Sequence, residues 1–280
     1  MRQILLPTDF SENSWNAISY ALQMFKDYEC TFHLLNTYTP IIYHIEHVLG
    51  YPAQYGLGDA VRETSQENLK DFIYVIEREH PNPKHKFETY ARFDSLISGI
   101  KEFMESHDID LIVMGTKGAT GAKEILLGSN TVHVLKQIKL PILAIPSDFK
   151  YEATHEILFP TDLEVDFKYI ELRLLESIAS SNQARLNVMH VSEKNKLTPK
   201  QEKNKHTLET LFKNSAYLYH NIRKMDVAEA INKFQVTHKI NFLVMINNKH
   251  SFFENLFFKS TINQIGFHLN VPFLVIPSNQ

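Results

Sequence analysis

The sequence predicts an α/β protein made of two tandem, doubly wound, Rossmann-like parallel sheets of five strands each. Three observations predict it. Apolar runs of strand length alternate with segments of helical spacing. Three motifs of the first half recur in the second half in the same order. One apolar run ends in a glycine-punctuated loop that opens a helix at Ser129, as open α/β sheets do at a nucleotide site.

The repeat is read from paired motifs. Leu6-Pro7-Thr8-Asp9-Phe10 returns as Phe159-Pro160-Thr161-Asp162-Leu163, and Leu111-Ile112-Val113-Met114 returns as Phe242-Leu243-Val244-Met245. Leu140-Pro141 through Pro146-Ser147 returns as Val271-Pro272 through Pro277-Ser278. Pro7 and Pro160 are 153 positions apart, whereas Met114 and Met245, like Pro141 and Pro272, are 131 apart. The first copy therefore carries 22 net extra residues upstream of Met114. Residues Tyr38 to Asp59, with Pro40, Gly50, Pro52, Gly56 and Gly58, are the natural place, and an irregular excursion is expected there. The boundary falls near Asp148 to Glu152, giving domains 1–149 and 153–280.

Each element of the first copy has a local reason. Gln3 to Pro7 is a strand. Ser11 is placed to cap a helix whose Ile18, Ala21, Leu22 and Phe25 share a face. Thr31 to Thr37 is the second strand. Ala60 to Glu79 is a long polar helix with apolar Leu69, Phe72, Ile73 and Ile76. Lys86 to Arg92 is a strand, Asp94 to Ser106 a helix, Asp110 to Met114 a strand, Ser129 to Gln137 a helix and Pro141 to Ile145 the last strand. In the second copy the strands are Glu156 to Phe159, Arg185 to His190, Ala216 to His220, Asn241 to Met245 and Pro272 to Ile276. Strand–helix alternation implies right-handed parallel crossovers. Ligands then bind at the carboxyl ends of the strands, where strand order reverses. Asp9 and Gly115 both follow such strands.

Composition narrows the function classes. The 280 residues are 44% apolar and 22% charged, as in an ordinary globular protein. With 29 basic and 32 acidic residues the net charge is −3, so no broad field favours nucleic acid or an anionic membrane. No apolar run approaches the ~20 residues that cross a bilayer, and the apolar start is too short for a signal peptide. The single Cys30 excludes an intrachain disulfide and fits a cytoplasmic location.

The loop Gly115-Thr116-Lys117-Gly118, nine residues, then Gly128-Ser129-Asn130 carries the chemistry. Glycine lets backbone approach a ligand closely. A helix N-terminus offers unpaired N–H groups and a partial positive charge to phosphate. Lys117 and Lys123 stand beside it, either as phosphate contacts or as solvated loop lysines. Asp9 and Asp162 each read as a cap for the following helix, and Asp9 also as a ligand contact. His44 and His47 read as surface histidines, because no third metal ligand is near them in sequence.

Pro7-Thr8-Asp9, the Met114-Gly115-x-x-Gly118-x9-Gly128-Ser129 loop and the Pro141 to Pro146 strand together resemble the universal stress protein family. The resemblance covers both copies. It implies a sheet of the adenine-nucleotide α-hydrolase-like class with ATP as the cofactor. It places Asp9, with backbone around Pro7, Thr8 and Thr37, at the adenosine end, and Met114 on the adenosine pocket. Gly115, Gly118, Gly128, Ser129 and Asn130 would hold ribose and phosphates, Asn130 standing where the family has a small hydroxyl residue. A divalent ion, Mg2+ or Mn2+, is implied through the phosphates. The resemblance also implies edge-to-edge pairing of last strands, which a tandem chain can make internally as a pseudo-dimer. Homodimerisation through the Phe252–Phe258 loop stays open.

The second copy departs from the pattern. Ile246, Lys249 and Lys259 stand where the first copy has Gly115, Gly118 and Gly128, while Ser260 matches Ser129. A β-branched residue at a close-approach position blocks phosphate access. The expected reading is a stress-response regulator that binds ATP in its first copy, the second being structural or for interaction. Two alternatives stand beside it: a slow ATPase or nucleotidyl-transfer enzyme, and an interaction module that binds no nucleotide. No Walker motif, nucleophile elbow or nucleotidyl-transfer histidine pair is present. The client protein is not legible.

Overall fold

The computed structural model describes residues 1–38, 54–116, 127–167, 172–192, 196–248 and 270–278, with the backbone alone for 54–58. Contacts divide the chain into two compact units, Met1–Ala122 with Gly128–Ile138 and Lys123–Leu127 with Lys139–Gln280.

Unit 1 holds strands β1 (Arg2–Pro7), β2 (Cys30–Tyr38), β3 (His85–Phe93) and β4 (Leu111–Gly115), in the order β3-β2-β1-β4 and all parallel. Its helices are α1 (Glu12–Met24), α2 (Gln54–Glu79), α3 (Leu96–Ser106) and α4 (Ser129–Gln137). Ser11 caps α1 by accepting from the Ser14 amide, and Ser95 caps α3 by accepting from the Ser98 amide. The apolar stripe read on α1 is buried in full, as are Leu69 and Ile76 of α2. β1 pairs with β2 along its whole length, to Pro7 opposite Leu35. With β4 it pairs only at Ile4–Leu111 and Leu5–Ile112. The two central strands thus part company before either ends, and a crevice opens between their carboxyl ends.

Unit 2 holds β5 (Ile142–Ile145), β6 (Glu156–Pro160), α5 (Arg173–Ser181), β7 (Arg185–Val191), α6 (Pro199–Leu211), β8 (Ala216–Ile222), α7 (Val227–Thr237), β9 (Phe242–Asn247) and β10 (Phe273–Pro277). The strand order is β5-β10-β9-β6-β7-β8. All neighbours here are parallel except β5 and β10, which run antiparallel with Leu143 opposite Leu274. The last strand of the first repeat is therefore held by the last strand of the second, and it counts with unit 2. The β6–β9 ladder is as short as its counterpart, at Ile157–Phe242 and Leu158–Leu243.

Two sequence expectations change. The excursion expected over Tyr38 to Asp59 is partly helical, since α2 begins at Gln54; residues 39–53 lie outside the described residues. At 26 residues α2 is twice the length of the 13-residue α6, so much of the extra length of the first copy is spent on helix. Asp162 caps no helix. Its carboxylate accepts from the Glu164 amide, because α5 starts only at Arg173. The His44 and His47 pair and the Phe252–Phe258 loop lie outside the described residues.

The core contains groups that resist charge. Cys30 is a buried thiol, pushed up to about 11 by desolvation, so it stays protonated at neutral pH. His33 sits under α3 with its Nε2 2.8 Å from the Gln3 Oε1 and its Nδ1 3.3 Å from the Glu88 carboxylate. Its ring meets Phe103 edge-on at 5.3 Å. Burial holds His33, His85 and His220 below the ordinary 6.5, with Glu88 opposing the shift at His33 and the Phe25 carbonyl opposing it at His85. No helix among the described residues is long and apolar enough to cross a membrane.

The histidines set a pH dependence. Their folded-state pKa values are depressed, so between those values and 6.5 the unfolded chain binds more protons than the folded one. Stability is complete above about pH 6.5 and falls as pH drops below it. Urea denaturation at pH 7 and pH 5 should show a lower midpoint at pH 5. The drop should be smaller in His33→Asn, the residue that the repeat already carries at Asn187; an undiminished drop would mean that His33 charges freely in the folded state.

Candidate functional site

The first wall of the crevice is the turn after β1. The Thr8 amide donates to the Leu35 carbonyl at 2.9 Å, and the Asn36 Nδ2 donates to the Thr8 carbonyl at 2.7 Å. Ser65 of α2 donates its hydroxyl to the Asn36 Oδ1 at 2.7 Å. Both of these side-chain bonds are buried, where an unmade bond would be costly. The Thr8 Oγ1 accepts from the Phe10 amide at 3.0 Å and lies 3.1 Å from the Ser14 Oγ. Ser14 gives its own proton to the Ser11 carbonyl, so Thr8 donates to Ser14. Phe10 has φ of 61°, a left-handed conformation that costs an ordinary side chain about 1–2 kcal/mol. The Phe10 amide bond to Thr8 helps to hold that conformation. Leu163 repeats both features, with φ of 60° and its amide on the Thr161 Oγ1.

That turn leaves Asp9 exposed at the mouth of the crevice. Its Oδ1 accepts from the Ser11 amide at 3.1 Å and the Ser11 hydroxyl at 2.6 Å. The cap of α1 is therefore Ser11 and not Asp9, against the capping role read for Asp9 from the sequence; the Asp9 carboxylate is instead oriented by Ser11.

The second wall is the start of α4. Gly128 is the N-cap and provides no side-chain cap, so the first-turn N–H groups of α4 have no side-chain acceptor from it. The Gly128 amide itself donates to the Thr116 carbonyl at 2.7 Å, which closes the base of the loop. Thr131 donates its hydroxyl to the Gly115 carbonyl at 2.9 Å, a buried bond that ties α4 to the end of β4.

One cavity joins these walls. Pro7, Thr8, Asp9, Thr37, Met114, Gly115 and Asn130 line it, seven of the residues expected from sequence. Gly128 and Ser129 stand at the α4 terminus beside it. Lys117, Gly118 and Lys123 lie outside the described residues. Sequence reasoning missed Ser14, Leu96 and Thr131, which also line the cavity. The Ser11-x-x-Ser14 spacing at the start of α1 was the available signal for Ser14. Leu96 gave none, because only the fold brings α3 to the crevice. The chemistry suits a ligand with an apolar, hydrogen-bonding body and an anionic end. Met114, Leu96 and Pro7 offer apolar surface, hydroxyl groups and Asp9 offer polar contacts, and the α4 terminus attracts anions.

A family model described as the universal stress protein family matches residues 1–146. The chain belongs to the universal stress protein family. Two universal stress proteins of Methanocaldococcus jannaschii are each 28% identical to it. One match runs over 144 residues, 51% of this chain and 81% of the relative; the other runs over 163 residues, 51% and 94%. The crystal structure of a universal stress protein from Archaeoglobus fulgidus DSM 4304 is similar at a TM-score of 0.69 and 20% identity. That similarity covers 98% of this chain and 97% of the other, so the likeness in fold extends over both repeats.

The second repeat treats the same positions differently. Ile246 fills the place of Gly115, and Lys249, Lys259 and Ser260 lie outside the described residues. After β6 the chain buries Leu163, Val165 and Phe167 where the first repeat starts a helix. Gln201 and Asn204 of α6 donate to the Asp162 and Leu163 carbonyls at 3.0 and 2.8 Å. Burial raises the Asp162 carboxyl above its usual range. His190 occupies the place of Asn36 and donates from Nδ1 to the Thr161 carbonyl at 3.0 Å. Its Nε2 is buried without a hydrogen-bond partner among the described residues.

The Thr131–Gly115 bond is testable. Thr131→Val keeps the shape but leaves the Gly115 carbonyl buried and unpaired, which should cost about 1–3 kcal/mol. Urea denaturation should show a lower midpoint at unchanged slope; an unshifted midpoint would mean that the bond contributes nothing.

Proposed function

We propose that this universal stress protein binds ATP, accompanied by a divalent ion, in the crevice of unit 1 and acts as a nucleotide-dependent regulator in the stress response. The observation that carries the reading is the cavity itself. Asp9 and Thr37 line it from one side and Asn130 of α4 from the other, so one ligand can reach both the Asp9 turn and an α4 terminus with no side-chain cap. The adenosine would lie against Met114, Leu96 and the backbone of Pro7 and Thr8, with Asp9 accepting hydrogen bonds from it. The phosphates would turn toward the first N–H groups of α4 and the Gly115–Gly128 loop. The ion would be held through the phosphates.

The second repeat takes a structural or interaction role in this reading. Ile246, the buried Leu163–Val165–Phe167 segment and the bonds from α6 occupy or tie down the positions that form the crevice in unit 1. The antiparallel β5–β10 pair joins the last strands of the two repeats and supports an internal pseudo-dimer.

Calorimetric titration of the purified chain, freed of co-purified nucleotide, with ATP and Mg2+ should give one site per chain. Asp9→Ala should weaken it at least tenfold by removing an acceptor at the adenosine end. Two sites would overturn the assignment of unit 2, and none would overturn the reading as a whole.

A further inference from the structure

Gly99 stands inside α3, four positions after its Ser95 cap, and its amide donates to the Ser95 carbonyl at 2.9 Å as any helical residue would. Its backbone does not call for glycine. The space does. A Cβ on Gly99 would lie 2.7 Å from the Thr37 Cγ2, a separation that real Cβ atoms do not tolerate. Apart from that methyl the position is roomy, since the next nearest atoms, the Asp94 Cβ and the Thr37 Cβ, are both 3.9 Å away. One contact, between a helix glycine and a strand methyl, accounts for the crowding.

The contact lies behind the cavity. Thr37 and Leu96, the first residue of α3, both line it. Glycine weakens a helix interior relative to alanine, and the second repeat shows that the helix itself does not require it. There the cap is Asp226 and the fourth position after it is Ala230, buried in α7. The strand residue at the register position of Thr37 is Val191. The glycine thus accompanies the repeat in which the crevice has the Asp9 and α4 walls.

We propose that Gly99 is a positioning residue of the nucleotide site: by lacking a Cβ it lets α3 close onto β2 and keeps Thr37 and Leu96 at the separation that the adenosine end of the ligand requires. This rests on the nucleotide reading above. A methyl group at position 99 has two outlets. Thr37 moves toward the cavity, or α3 backs away and takes Leu96 with it. Either deforms the wall without touching the ligand.

The test is a rescue. ATP affinity is measured by calorimetry for the wild type, Gly99→Ala, Thr37→Ser and the double variant, and the Thr37 methyl signal is followed by NMR without ligand. Gly99→Ala should weaken ATP at least tenfold and shift the Thr37 methyl signal. Thr37→Ser removes the clashing atom, so adding Gly99→Ala to it should change affinity less than threefold. Equal losses in both backgrounds, or a Gly99→Ala chain that binds like wild type, would overturn the proposal while leaving ATP binding intact. A wild type that binds no ATP would overturn the nucleotide reading and the binding role of Gly99 with it. An unmoved Thr37 methyl signal would overturn the steric argument regardless of ligand. Should Gly99→Ala fail to fold, the double variant should fold, and its failure to do so would also overturn the proposal.

Discussion

Reversal of strand order between β1 and β4 is the constraint on which the rest of unit 1 depends. Two parallel strands whose following helices leave to opposite faces cannot stay paired to their ends, and here they pair at only two positions. Beyond Leu5 and Ile112 the backbone of both strands must find other partners. The Thr8 carbonyl takes Asn36, which takes Ser65. The Gly115 carbonyl takes Thr131. These bonds tie α2 and α4 to the two lips of the crevice, so satisfying the backbone also shapes the walls of the cavity.

The two repeats answer that constraint in different ways. In unit 1 the chain turns sharply after Asp9 and starts a helix at once, which leaves Asp9 exposed at the mouth of the cavity. In unit 2 the chain runs on and buries three apolar side chains, and α6 reaches over to hold the carbonyls of Asp162 and Leu163. The left-handed residue and its threonine bond survive in both, at Phe10 and Leu163. That turn therefore belongs to the fold, not to the ligand. What separates the repeats is what the segments after it do: in unit 1 a helix starts at once and Asp9 is exposed, whereas in unit 2 Leu163, Val165 and Phe167 are buried.

Much of this was legible in the sequence because it is local. Strand and helix periodicity, the Ser11 cap, the Pro-Thr-Asp turn and the start of α4 at Ser129 depend on neighbours a few residues away, and the internal repeat allowed each half to be read against the other. Seven expected site residues meet in one cavity because Pro7, Thr8, Asp9, Met114 and Gly115 end adjacent strands, a placement that strand–helix alternation implies. The late start of α5 left no comparable mark, since Asp162-Leu163-Glu164 copies the local chemistry of Asp9-Phe10-Ser11 closely enough to suggest a cap. The helical part of the excursion was hidden by the Gly and Pro residues around it.

The sequence by itself determined the fold class, the repeat, the order of the elements and the residues at the strand ends, because hydrophobic periodicity and turn chemistry act over short distances. Only the tertiary structure decided that Leu96 and Thr131 join the cavity and that Gly99 lies against Thr37. Each of these depends on how closely elements far apart in the chain approach one another. That distance is set by side-chain volume at the contact and leaves no periodic trace along the chain.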